Sequence, residues 1–428
     1  MVSIALPCSM QRAERTTPVA HHNHALMHRL RAQSSGRGSA LQQRQQQRGR
    51  SMRLNNTHRT ALIAAALAAT ALNAHAGARY DFGDDQYVTF GFGTRYTYTH
   101  AERPSADGGG HVNNPNLDSA RLFFGASLNK YVKATFNTEW DGTTERIRKL
   151  DMYAQFEFTP EFNVWAGRFV GPSERANMAG PYYSVGGGYW PCVSSRYGCN
   201  GGTYVARDDG VAVWGHVAES RLGYSVGVFD GRNFGIGALN RYEAHQAGLK
   251  TSNDLMYSGR LQYDFWDLET GYFSTADHLG KADILAVGVA FRHQKNGVIT
   301  LLGKGDYDSY NLDFQLEKNL KGYGAFGLEA AYYDYDTDGL VRSEQGKAYS
   351  AGVSYLFERE VGWGRFQPFV HWQRFKADNQ VTTKQIDFGL NYVIAEQNAM
   401  VTATYSRNKV DQGGENLSRF VVAVQLQY

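Results

Sequence analysis

Ser418-Arg-Phe-Val-Val-Ala-Val-Gln-Leu-Gln-Tyr428 closes the chain with Phe420, Val422, Val424, Leu426 and Tyr428 on one parity. Successive side chains of a strand point to opposite faces, so this period of two predicts a strand with one apolar face and an aromatic end. Five residues of one parity also arise in soluble sandwiches, so the reading turns on whether the stripe repeats. It does. Val88, Phe90, Phe92, Tyr96 and Tyr98 alternate with Thr89, Gly91, Gly93, Arg95 and Thr97. Ala120, Leu122, Phe124, Ala126 and Leu128 stand against Arg121, Ser127 and Asn129, and Ile386, Phe388, Leu390 and Tyr392 against Gln385, Asp387, Gly389 and Asn391.

Further strands are expected near 131–140, 149–158, 161–169, 209–217, 221–229, 254–265, 268–276, 282–292, 298–303, 310–317, 323–335, 347–358, 364–376 and 398–408, which makes eighteen. Their lengths approach the ~9–11 residues of a tilted membrane strand, and after residue 76 no run of 18 apolar residues could span a bilayer as a helix. Links at Asn129-Lys130, Thr159-Pro160, Ala218 to Arg221, Trp266-Asp267, Asn296-Gly297 and Glu396-Gln397 are tight, whereas 100–117, 170–208, 230–253 and 334–346 are long. Short turns on one rim and long loops on the other predict a transmembrane antiparallel up-and-down β-barrel of 16–18 strands in the outer membrane of a Gram-negative bacterium. Aromatics at 13% suit interfacial girdles against the surrounding lipid. The terminal Tyr428 resembles the closing signal that the barrel assembly machinery reads.

The front of the chain reads differently. Arg53, His58 and Arg59 precede an apolar run from Ala61 to Leu72 and then Ala74-His75-Ala76, the pattern of a secretory signal over 52–76. Residues 1–51, rich in Gln, Arg, His and Ser, read as an upstream or untranslated extension before Met52, and 77–428 as one barrel. The histidines His21, His22 and His24 fall in that extension, so a metal site there is not expected.

The first 76 residues hold ten Arg, no Lys and one acid, Glu14; of 44 basic and 41 acidic residues, 34 and 40 remain, a net charge of −6 against +3 for the whole chain. Nucleic-acid binding thereby loses its electrostatic support. Cys8 falls in the same segment; Cys192 and Cys199, among Gly, Tyr and Ser, then read as a disulfide closing a small loop.

Two stretches resemble the phosphate-selective porin O/P family. They are Arg121-Leu-Phe-Phe-Gly through Tyr131-Val-Lys-Ala-Thr-Phe-Asn-Thr-Glu-Trp140, and Leu150-Asp-Met-Tyr-Ala-Gln-Phe-Glu-Phe158 with Val164-Trp-Ala-Gly-Arg-Phe169 and Pro172-Ser-Glu174. Asp208-Asp-Gly-Val-Ala-Val-Trp214 extends the likeness, which covers the N-terminal third of the barrel. The resemblance implies a homotrimer of barrels, usually sixteen-stranded, passing small hydrophilic solutes, anions such as phosphate among them, with no cofactor and no enzymatic step. It also implies a basic pore narrowed by an inward loop.

Strand parity assigns Arg95, Arg121, Lys133, Arg260, Arg292 and Arg419 to the lumen. If the last strand pairs with the first, Arg419, Arg95 and Arg121 lie on three adjacent strands toward the long-loop rim, a strip that would focus anions. The competing reading is ordinary lumen polarity, with each cation paired to an acid. The Pro- and Gly-rich segment 170–208 is expected to fold inward as a constriction near Arg168, Glu174 and Arg175, although parity turns Arg168 to the lipid side.

Asp334-Tyr-Asp336-Thr-Asp338-Gly339 opens like a calcium loop, but position twelve is Gln345 and strands flank it, so an acidic loop is the reading. The rival functions are a rim hydrolase and a structural or adhesive barrel. His216, His278, His293 and His371 fall on different strands, which disfavours a converged catalytic group.

Overall fold

The computed structural model describes residues 77–102, 110–141, 146–187, 191–195, 207–231, 254–411 and 416–428. A short strand β1 (Ala78–Gly83) precedes sixteen staves. These are β2 (Gln86–Glu102), β3 (His111–Ser127), β4 (Val132–Asp141), β5 (Arg146–Thr159), β6 (Phe162–Val170), β7 (Arg207–Val217), β8 (Leu222–Phe229) and β9 (Met256–Asp264) in the first half. The second half holds β10 (Ile284–Thr300), β11 (Gly303–Asn319), β12 (Gly324–Asp336), β13 (Gly346–Phe357), β14 (Arg365–Ala377), β15 (Thr382–Ala395), β16 (Ala399–Val410) and β17 (Leu417–Gln427). Each stave pairs antiparallel with its sequence neighbour, and β17 pairs with β2 to close the barrel. Closure gives every stave a hydrogen-bonded neighbour on both sides and leaves the sheet no open edge, which a membrane span requires.

Two expected strands are absent. Residues 268–276 belong to an irregular link between β9 and β10, and 298–303 is shared between the end of β10 and the start of β11. The Asn296-Gly297 pair, read as a hairpin turn, lies inside β10 at a register shift between Gln294 and Val298; Asn296 takes φ 50°. An Asn-Gly pair supplies left-handed backbone to a bulge as readily as to a turn. The actual turn is Leu301-Leu302 on the opposite rim. Strict alternation of short and long links therefore fails at both ends of β10.

Parity elsewhere does what a membrane barrel demands. Phe90, Leu122, Val289 and Phe388 point outward and stay 44–50% exposed, an apolar face that only lipid satisfies. Aromatics gather at the short-turn rim: Tyr131 against Phe158, Phe158 against Phe162, Tyr355 against Phe357, and Phe366 against Tyr392, with ring centroids 5.1–6.3 Å apart. Such rings sit at headgroup level. The barrel is an outer-membrane one. Inward positions are polar, with Gln367, Gln373, Asn391 and Gln425 all buried. That burial shows that much of the lumen is filled.

Candidate pore constriction

The first filling element lies between β6 and β7. Residues 171–187 and 191–195 cross the lumen, with one short helix, α1 (Arg175–Ala179). Tyr182 reaches the β2–β3 wall, where its hydroxyl hydrogen-bonds Ser119 Oγ at 3.0 Å and its ring lies beneath the guanidinium groups of Arg95 (5.2 Å) and Arg121 (4.6 Å). Farther on, the backbone N–H of Gly187 donates to Thr402 Oγ1 of β16, and those of Val193 and Ser194 donate to Gln373 Oε1 of β14. Gly186, at φ 87°, packs its bare Cα against the Phe369 ring, where a Cβ would come within 2.8 Å. Cys192 is disulfide-bonded, while Cys199 lies outside the described residues.

The second filling element was missed in the sequence. Residues 265–283 leave the short-turn rim after β9, enter the lumen and return to β10. At the neck, Phe265 N donates to Leu285 O (2.8 Å) and Asp267 N to Asp283 O (3.0 Å). Tyr272 packs against Trp165 (4.4 Å) and Trp214 (5.8 Å), and its hydroxyl donates to Val170 O. On the opposite side Gln367 Nε2 donates to Asp277 Oδ2 (2.8 Å), and Leu279 joins Ala325, Leu356, Val393 and Met400 in an apolar cluster. This strap thus reaches from the β6–β7 wall to the β14 wall.

The two elements grip each other. Arg175 forms a bidentate pair with Glu269 (3.1 and 2.6 Å) and donates to Thr275 O, while Ala276 N donates to Tyr183 O (3.2 Å). Arg260 of β9 and Asp313 of β11 form a second bidentate pair (2.6 and 2.9 Å); Asp313 also accepts from Arg175 N, and Arg260 donates to Ser173 O. Two parallel charge-assisted bonds fix orientation as well as distance. Burial opposes ionisation of Glu269, but Arg175 and His278 outweigh it and hold the carboxylate well below its usual range. His278 lies between Glu269 (3.4 Å) and Glu317 (3.1 Å). Burial alone would lower its pKa; the two carboxylates prevail and raise it to about 9. Burial, then the Glu317 charge, lifts Asp277 to about 7. Burial also raises Glu174, which accepts from Ser195 Oγ at 2.5 Å and from Asn177.

The expected basic residues are distributed differently from the strip inferred by parity. Closure does pair β17 with β2, but Gln425 stands opposite Arg95 and Arg419 opposite Ala101. Six residues of strand separate them, about 20 Å at ~3.3 Å per residue. Arg95 and Arg121 lie at mid-height under Tyr182, and only Arg419 is near the long-loop rim. Arg95 pairs with Asp118 (2.7 Å), Arg121 and Arg148 with Glu139 (2.8 and 3.5 Å), Lys133 with Glu157 (2.5 Å), and Arg207 with Asp151 (2.7 Å). The wall is a ladder of ion pairs. Arg260 is sealed against Asp313, and Arg292, only 2% exposed, points its guanidinium at Pro172 O (3.3 Å). Arg168 stands across from Asp209, 3.5 Å away, on the outward parity.

Exposure varies around the lumen: Ser119, Glu139, Asp151 and Tyr153 of β3–β5 are buried, and the Glu329 side chain of β12 keeps 29%. Along β9–β17, Arg260, Gln315, His371, Gln373, Asn391 and Gln425 are buried under the two inserted elements. Along β3–β5, Arg121, Phe123, Lys133, Thr135, Asn137 and Gln155 remain partly exposed. The histidines do not converge: His216 meets the Gly271 carbonyl, His293 meets Asp308, and His371 meets Glu329, each in its own place. In the loop that opens like a calcium site, Gln345 Oε1 accepts from the Thr337 and Gly339 N–H groups. Among the described residues no cluster of His, Cys, Asp and Glu could hold a metal ion.

No family model matches the chain, and no curated protein matches its sequence. Solved structures do. OprB of Pseudomonas putida aligns with a TM-score of 0.55 at 10% identity, over 80% of this chain and 94% of that one. A loop L8 deletion mutant of OmpT, an outer membrane protein of Vibrio cholerae, aligns at 0.51 and 12%, over 81% of this chain and 100% of its own. An anion-selective porin from Comamonas acidovorans aligns at 0.50 and 12%, over 80% and 100%. At these identities the likeness is one of architecture, and together with the sixteen closed staves it gives this chain the fold of an outer-membrane porin.

Proposed function

We propose that the chain forms a water-filled diffusion channel for small hydrophilic solutes, with the path running along β3–β5 past Tyr182 and Tyr183. One observation carries this reading. The Lys133 and Glu157 side chains on that wall keep 29% and 23% of their exposure, whereas Arg260 and Asp313 across the lumen keep 5% and 4%. A polar, wetted wall beside a sealed half-lumen is a route for solutes that carry their own hydration or dipoles.

The wall places Arg95, Arg121, Lys133, Arg148 and Arg207 among Asp118, Glu139, Asp151 and Glu157. One cation in excess, with the charges interleaved, supports a mild preference for anions. The motif resemblance at 121–174 supports phosphate-like solutes within that class. It also supports a homotrimer, as does a concavity of about 730 Å³ on the outer face of β2–β6, where Ala126, Ala134, Ala154 and Ala166 lie between Phe90, Phe124 and Phe136. Recognition by the barrel assembly machinery through Tyr428 rests on the terminal aromatic.

Single-channel recording in planar bilayers tests the channel, and reversal potentials in a salt gradient test its preference. Discrete steps and a modest anion preference that falls in the Arg95→Ala/Arg121→Ala variant are expected. Absence of steps from folded barrels refutes the channel; an unchanged reversal potential in the variant refutes the charge assignment.

A further inference from the structure

We infer that the strap 265–283 is a second, periplasmic-side constriction element that sets the size limit of the channel. This rests on the diffusion-channel reading above. Three observations carry it. The strap is an Ω-loop whose neck is closed by the Phe265–Leu285 and Asp267–Asp283 backbone bonds, so its body is an addition to a hairpin already complete at 267 and 283. Nothing in the barrel's closure needs that body, since β9 and β10 pair over Met256–Asp264 without it. Its groups are spent across the lumen instead. Tyr272 is held on Trp165 at one wall, and Asp277 and Leu279 at the other.

The strap also decides where the outer loop rests. Glu269 accepts from Arg175 Nη1 and Nη2, and Thr275 O accepts from Nη1 as well. Ala276 N holds Tyr183 O, one residue after the tyrosine that lies against Arg95 and Arg121. His278 N and Gly280 N both donate to Glu317 (2.8 and 2.6 Å), and Gln315 Nε2 donates to Ala276 O (2.9 Å). The strap therefore fills the β9–β16 side from below and presses the outer loop into place above. Glu269 and His278 are positioning residues of the constriction, acting through Arg175 and the loop that carries Tyr182 and Tyr183.

The test compares wild type with a barrel in which 268–282 are replaced by a two-residue Asn-Gly turn, a link the 267–283 bond already spans. A Glu269→Gln variant, isosteric but uncharged, is measured beside it. All three are refolded, checked for the compact heat-modifiable form, and recorded in phosphatidylcholine bilayers and in sugar-uptake assays with liposomes of the same lipid. The strapless barrel is expected to conduct about twofold more than wild type and to admit larger sugars, because ion flow follows the open cross-section. Glu269→Gln is expected to show more frequent excursions to larger levels. A folded strapless barrel with wild-type conductance and exclusion limit overturns the strap's role while leaving the channel standing. No steps from any of the three overturns both.

Discussion

Arg260→Met offers a direct measure of how dry the sealed half of the lumen is. Arg260 and Asp313 share two hydrogen bonds of 2.6 and 2.9 Å, and their side chains are 5% and 4% exposed. Two unit charges about 4 Å apart attract by about 4 kcal/mol at an effective dielectric near 20. Removing one member of such a buried pair strands the other, and the observed loss is about 3–5 kcal/mol. The Arg175 N–H at 3.2 Å and Asn311 Nδ2 at 3.4 Å, both on Asp313 Oδ2, are left to satisfy the carboxylate. Met fills the volume but supplies no donor. Urea unfolding of the barrel in lipid vesicles, followed by tryptophan fluorescence, should therefore show a loss of about 3–5 kcal/mol for Arg260→Met. Arg260→Met/Asp313→Asn should recover most of it, because a neutral amide still accepts from Arg175 N. A loss below about 1 kcal/mol is what a solvated pair gives. That result would show water running along β9–β11 and would refute the placement of the path on β3–β5.

Three further outcomes follow from other parts of the molecule. His278 titrates near 9 when folded against about 6.5 unfolded, so its contribution is complete below about pH 6.5 and is lost as pH rises through 9. Asp277, raised to about 7, acts in the same sense, since a folded state that holds its proton loses stability as pH rises from about 4 through 7. Unfolding midpoints measured from pH 5 to 10 should fall with pH and flatten at the alkaline end in His278→Gln; an identical profile in that variant contradicts the assignment. Gly389→Val should destabilise by about 1–3 kcal/mol, because even a Cβ at 389 would lie 1.9 Å from Phe369 Cζ; a neutral substitution in urea titration would show that Phe369 has room to move. Tyr428→Ala should lower the fraction of barrel recovered in heat-modifiable form from outer membranes, since the Tyr428 ring packs, tilted, against Phe92 at 6.1 Å; unchanged recovery would remove any assembly role for the ring.

The staves were legible wherever one face meets lipid and the other water, as in Val88–Tyr98 or Ser418–Tyr428. Legibility fails where both faces meet protein. Residues 268–276 alternate like a strand because a loop crossing a polar lumen also needs apolar and polar contacts in turn: Tyr272 for Trp165, Glu269 for Arg175. Residues 298–303 were misread because Asn296-Gly297 carries a turn's backbone chemistry into a bulge. At the constriction, parity placed the inward cations but could not set their height, so Arg419 was set beside Arg95 when Gln425 stands there. Nor could it reveal pairing. The bonds of Glu139 to Arg121 and of Asp151 to Arg207 depend on registers between strands. Arg207 itself and the strap carry no local signal of their role.

The short strand β1 gives the barrel a stop. Parity alone permits β17 to slide along β2 by two residues at a time, since each such slip keeps the same face inward. β17 occupies β2 from Gly93 to Ala101, and Tyr428 exchanges backbone bonds of 2.8 and 2.7 Å with Phe92. Below that point the same edge of β2 is taken by β1, with Ala78 opposite Phe90 and Tyr80 opposite Val88. A downward slip would drive Tyr428 into a slot already filled. The first strand of the sheet thus acts as a doorstep for its last, and the shear of the barrel is fixed by the meeting of two strands head to tail.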